Sequence, residues 1–212
     1  RVTAEIEHQN LEVVQHETGH HIDFNIGLFP RNGLERAAGI PRWLPEGTTM
    51  MFEVPPSAGG ASLGVMNHFR LDQLRTVMGT RHFSAAEWRT FLFESPNDWS
   101  RKWSVGASYP IGWSMVYFLW KEHRAEFGKF CKAVCDRDDN TIMSEADRLA
   151  EFENIFGRLD EKWVEGYNKF VDGLQLKKSL LPLGETLNEK RGGSQKPPEQ
   201  KKSNPGGGGR RY

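Results

Sequence analysis

Two histidines four residues apart, His16 and His20, with a glutamate directly after the first, constrain this chain more than any other stretch. Residues four apart on an α-helix lie one turn apart on the same face. Both imidazoles can therefore aim at one ion if the surrounding stretch is helical. Glu17 then projects beside such an ion rather than onto it, placed to take a proton from a water bound there. With 7 His and 19 Glu in 212 residues, chance supplies roughly 0.02 occurrences of the pattern, so the metal reading outweighs a helix with merely solvated histidines. Gly19 points the same way. A glycine inside a helix costs about 1 kcal/mol relative to alanine and is kept for a packing or functional reason.

The pattern predicts one long helix from about residue 5 to Ile26, with Leu11, Val14 and Ile22 among its apolar positions. Asp23 shares the histidine face and is either a carboxylate behind the metal ligands or a solvated acid near the helix end. His21 is one step off that face and reads as structural. Glycines and prolines from Gly27 to Pro41 mark a loop. Then Trp43-Leu44-Pro45-Glu46-Gly47 opens a second helix, with Pro45 in its first turn and Pro55-Pro56 as its stop. Such a helix would carry Glu46 and, seven residues on, Glu53 along one face.

A His-Glu-x-x-His helix, a loop, and Trp-x-x-Glu-Gly opening a second helix resemble the gluzincin metallopeptidases, the broad group of thermolysin and the zinc aminopeptidases. The resemblance implies that Glu46, 26 residues after His20, is the third zinc ligand. More narrowly, these motifs with Phe24-Asn25-x-Gly27-Leu28 and Pro41-x-Trp43-Leu44-Pro45 resemble a little-characterised family of bacterial peptidase-like proteins, a domain of unknown function, over about residues 5–174. An extracytoplasmic or secreted location comes with that resemblance alone. There are departures. Thermolysin-like enzymes place an acid four positions after the ligand glutamate, where this chain has Met50, which leaves Glu53 or Asp23 to support a zinc histidine. The Gly-Ala-Met-Glu-Asn segment of the aminopeptidases is missing. Gluzincins also carry a sheet before the zinc helix, but only fifteen residues precede His16. The expectation is a mainly α, zincin-like domain with that sheet absent or truncated, in a chain that starts at Arg1 as a processed product or fragment.

Further along, a Gly/Ala/Ser-rich loop from Ser57 leads to a helix around Phe69–Met78 closed by Gly79. Ser84-Ala85-Ala86-Glu87 forms a capping box that starts the next helix, with Trp88, Phe91 and Leu92 on its buried face. His68 and His82 either line a cleft or sit at the surface. After a polar, irregular stretch, Tyr109 to Trp120 is apolar nearly all round and reads as a buried helix beside the metal helices. By the gluzincin resemblance Tyr109 is an oxyanion donor; by composition it is equally a core tyrosine with a satisfied hydroxyl. Residues 127–135 continue helical, with Cys131 and Cys135 read as core. Ser144 opens another helix that ends at Gly157, and Trp163, Tyr167, Phe170, Val171 and Leu174 mark the last one. Nothing in this half alternates with period two, as a strand would.

Charge divides the chain. Residues 175–212 hold 9 Lys/Arg and 3 Asp/Glu, a balance of +6, so the first 174 carry −6. The division predicts a catalytic domain over 1–174 and a basic, Pro/Gly-rich disordered tail over 175–212. The tail lacks the interleaved aromatics of a single-strand binder, and the acidic domain argues against nucleic acid. No run of eighteen apolar residues is present. The function expected is zinc-dependent hydrolysis of a peptide or protein substrate, with one zinc on His16, His20 and Glu46 and with Glu17 and Tyr109 catalytic. An inactive zinc-binding scaffold is the rival, though such a scaffold would not require Glu17.

Overall fold

The computed structural model describes residues 2–28, 40–54, 64–94, 102–138 and 141–177. Outside them lie most of the predicted loop after the first helix, Pro55-Pro56, residues 57–63, the start of the irregular stretch after Phe93, and the tail from 178 onward. Eight helices and no strand occur among the described residues: α1 Val2–Ile26, α2 Trp43–Thr49, α3 His68–Met78, α4 Ala85–Phe93, α5 Val105–Glu122, α6 Arg124–Cys135, α7 Glu145–Phe156 and α8 Glu161–Gly173. The protein is mainly α, as its patterning predicts.

α2 is the hub, for all seven of its residues are buried. It lies between α1 and α5, and α3 packs on α5 as well. Trp43 anchors it: the indole Nε1 donates to the Leu92 carbonyl at 3.0 Å, and the ring stacks on Phe130. Gly47 explains the close crossing. A Cβ there would lie 2.4 Å from Val116 Cγ2 and 2.8 Å from the Gly112 carbonyl oxygen, both on α5. Gly19 does the same for α1, since its Cβ would meet Thr49 Cγ2 at 2.9 Å and Thr49 Cα at 3.1 Å. The glycines of the two motifs thus let the helices that carry the candidate ligands approach.

α5 is buried continuously from Pro110 to Leu119. It begins at Val105, four residues before the predicted start, so Pro110 lies inside it. Trp113, Phe118 and Leu119 join Phe91, Phe130 and Phe152 in one aromatic-rich core. The capping box on Ser84 and Glu87 forms, and a second one joins Ser144 and Asp147. Each satisfies two backbone donors that a helix start leaves open. Cys131 and Cys135 are half-buried, unpaired in a disulfide, and packed against the core.

The predicted first helix forms without burying its apolar positions, and the predicted second helix is shorter than expected. Leu11, Val14 and Ile22 are exposed, as are Val13, Phe24 and Ile26. α1 buries Gly19 and Asp23 instead, because the surface it faces is the polar site and not the aromatic core. The second helix also stops at Thr49, so Glu46 and Glu53 do not share a helical face. Tight turns, Met51 N–H to Thr48 O and Phe52 N–H to Thr49 O, both at 3.0 Å, end it and swing Glu53 back toward α1.

Candidate metal centre

Nine polar or charged residues are buried among those described, and six of them are Asp23, Glu46, Thr48, Thr49, Glu53 and Asn67. Buried polar groups are costly unless paired, so this concentration marks a built site. His16 and His20 from α1 meet Glu46 from α2 there, and together they form a group able to hold a metal ion. The two Nε2 atoms are 3.1 Å apart. Glu46 Oε2 is 3.6 Å from His16 Nε2 and 3.5 Å from His20 Nε2.

Those three distances fit an ion. Zinc bonds of about 2.0–2.1 Å at a tetrahedral angle put neighbouring ligand atoms about 3.3 Å apart. The pairs involving Glu46 are too long for strong hydrogen bonds, and Glu46 Oε2 is buried with no hydrogen-bond partner among the described residues. A buried carboxylate oxygen aimed at two imidazole nitrogens without bonding either is what a shared cation would satisfy.

The groups behind the imidazoles set their orientation. His16 Nδ1 donates to Glu53 Oε1 at 2.8 Å, which turns Nε2 toward the site. His20 Nδ1 donates to Thr49 Oγ1 at 3.1 Å, and Thr49 passes its hydroxyl proton toward Asp23 Oδ2 at 3.2 Å. Thr48 donates to the same Asp23 oxygen at 2.6 Å. Of the two roles open to Asp23, support of a histidine is the one the fold uses, and Glu53 supports the other. Such partners fix the tautomer of a metal-binding histidine and raise its basicity.

Glu53 is itself held. Arg70 donates to it twice, from Nε to Oε2 at 2.8 Å and from Nη2 to Oε1 at 2.6 Å. Asn67 adds a bond from Nδ2 to Oε2 at 3.1 Å, while its own Oδ1 caps α3 through the Arg70 N–H. The start of α3 is thereby tied to the back of His16. Arg70, Asn67, Thr48 and Thr49 carry no local spacing that would have exposed this role in the sequence.

The electrostatics of the site reflect these contacts. Burial lowers the pKa of His16, but the Glu46 and Glu53 carboxylates outweigh it and push it up to about 9. Burial raises Glu46, yet its contacts with His16 and His20 bring it down to about 2. Burial likewise works against Glu53, and the bonds from His16 and Arg70 hold it below the usual carboxylate range. Asp23 is the exception. Burial lifts it to about 6 despite the bonds from Thr48 and Thr49.

Tyr109 reaches the site from the second turn of α5, its ring stacked on His16 with centroids 5.7 Å apart. Burial, then the charge of Glu46, pushes its phenol up to about 12, so it stays protonated at neutral pH. Glu17 is exposed and makes no hydrogen bond or ion pair with a described residue. His21 is exposed. His68 and His82 belong elsewhere: His68 Nδ1 accepts from the Lys177 N–H, and His82 pairs with Asp172.

No curated protein and no solved structure matches the chain. A family model described as "Protein of unknown function (DUF1570)" matches residues 10–139, a span that takes in His16, His20, Glu46, Glu53, Arg70 and Tyr109. That span is more than half of the 212 residues, and the chain therefore belongs to the DUF1570 family.

Proposed function

We propose that this chain carries the active centre of a zinc-dependent peptide-bond hydrolase of the gluzincin kind, with His16, His20 and Glu46 as ligands of one zinc per chain. The observation that supports it most is the triangle of three ligand atoms, 3.1, 3.5 and 3.6 Å on its edges, around an otherwise unpartnered Glu46 oxygen. Two imidazoles and a carboxylate suit zinc, and three protein ligands leave a fourth position open, as catalytic rather than structural sites do. When bound, zinc supplies Lewis-acid polarisation of the scissile carbonyl and a water whose pKa lies near 7.

The chain's own residues do the rest. Glu53 and Thr49 hold the imidazoles in register. Glu17, on the same helix and open to solvent, takes the proton of the attacking water and passes it to the leaving amine. Tyr109, protonated and stacked beside His16, donates its O–H to the oxygen on which negative charge develops.

Glu17→Gln tests the reading, because it keeps shape and hydrogen bonding but removes the base. Zinc content should stay at the parent value while hydrolysis of an unstructured protein falls by ~10²–10⁴-fold. Equal cleavage by the variant rejects Glu17 as the base. Zinc-loaded protein that cleaves nothing across a broad peptide library makes the domain a metal-bound scaffold.

A further inference from the structure

A cavity of about 270 Å³ lies between the C-terminal half of α3, the turn after it, and α8. It shares no residue with the metal centre, and its chemistry is independent of the hydrolase reading. Its apolar wall is Leu74, Met78, Phe83, Tyr167 and Val171. Tyr167 offers only its ring, since its hydroxyl is bonded to Ser114 Oγ at 2.6 Å. Its polar lining is Arg75 on α3, Arg81 and His82 in the turn after it, and Asn168 and Asp172 on α8.

Arg75 and Asp172 stand exposed at the rim, each oriented by one bond. Arg75 Nη2 donates to the Leu174 carbonyl at 2.7 Å, which pins the guanidinium at the end of α8, and no carboxylate among the described residues pairs with it. Arg81, also in the lining, is by contrast paired with Glu87. Asp172 accepts from His82 Nε2 through Oδ1 at 3.1 Å, and Oδ2 takes no bond from a described residue. The Asn168 side-chain oxygen in the same wall is buried with no hydrogen-bond donor among the described residues.

We propose that this cavity binds a free α-amino acid with an apolar side chain. The carboxylate pairs with Arg75, the ammonium with Asp172, and the side chain lies on Leu74, Met78, Phe83 and Val171. A dianion would meet Asp172, and a wholly apolar ligand would use neither charge. A zwitterion matches both. The volume sits just under the ~300–1,000 Å³ of small-molecule sites, so one residue fits better than a peptide.

The test is titration of the full chain with L-leucine and L-phenylalanine, monitored by calorimetry and by methyl NMR of Leu74, Met78 and Val171. Saturable binding that shifts those methyls is expected. Leucinamide, N-acetyl-leucine and glycine, which lack the carboxylate, the ammonium and the apolar body, should each bind at least about tenfold weaker. Arg75→Gln and Asp172→Asn should each weaken leucine binding by at least about tenfold, with circular dichroism and zinc content unchanged. No saturable binding of either amino acid overturns the proposal. So does binding that leaves the three methyls unshifted, or that both variants retain at parent affinity.

Discussion

Arg70→Leu probes how the metal centre is built. Glu53 is 4% exposed and holds its charge through four bonds: His16 Nδ1, Asn67 Nδ2, and Arg70 Nε and Nη2. The substitution removes two of them and the only guanidinium among them, and leaves the buried carboxylate with the bonds from His16 and Asn67 alone. Breaking a buried pair in this way costs about 3–5 kcal/mol. At about 2–4 °C per kcal/mol for a domain of this size, the melting temperature should fall by roughly 6–20 °C. Zinc affinity should fall by about 10–100-fold, because Glu53 without Arg70 behind it holds His16 less firmly. Glu53→Gln added to Arg70→Leu should recover most of the lost melting temperature by removing the buried charge. Thermal unfolding with a zinc competition titration on the two variants measures both effects. An Arg70→Leu protein with parent stability and parent zinc affinity would refute the reasoning.

Two further outcomes concern pH. The pKa of His16 is raised from 6.5 to about 9, so in chelator-treated protein its favourable contribution to stability is complete below about 6.5 and is lost as pH rises through about 9. Zinc must displace that proton, so its apparent affinity should climb about tenfold per pH unit up to about 9 and then level; a flat profile in chelator competition contradicts this. Asp23, 2% exposed, has its pKa raised from 3.8 to about 6, so its ionisation costs stability as pH rises through that window, about 3 kcal/mol by pH 7. Asp23→Asn, which can still accept from Thr48 and Thr49, should therefore melt higher than parent at pH 7.5 and equally at pH 4 in chelator-treated protein. A lower melting temperature at pH 7.5 shows that the charge stabilises.

Local geometry decided which features were legible in the sequence. The four-residue spacing of His16 and His20 is a helical repeat, and both histidines do face one point. The Ser84 capping box and the all-round apolar run ending near Trp120 are equally local, and both form. Glu46 was reached only through the motif around Trp43 and Gly47, whose packing against Leu92 and α5 now explains why those residues flank it. The failures have a common cause in tertiary structure. Glu53 was legible only as an alternative to Asp23 for supporting a zinc histidine, and the fold uses both. What the sequence hid is the turn that takes Glu53 off the second helix and its pairing with Arg70, 17 residues on, a separation with no periodic signature. The buried face of α1 carried no periodic signal either, because periodicity locates apolar residues and this helix turns Gly19 and Asp23 inward.

Zinc content of the parent chain and of Glu46→Gln, measured by elemental mass spectrometry after exhaustive dialysis, bears on the central claim most directly. Glutamine keeps the volume but removes the charge that the two imidazoles face. The parent should hold about one zinc per chain, and the variant, with an unchanged circular dichroism spectrum, well under half of that. Equal zinc in both proteins would contradict the assignment of His16, His20 and Glu46 as one metal site.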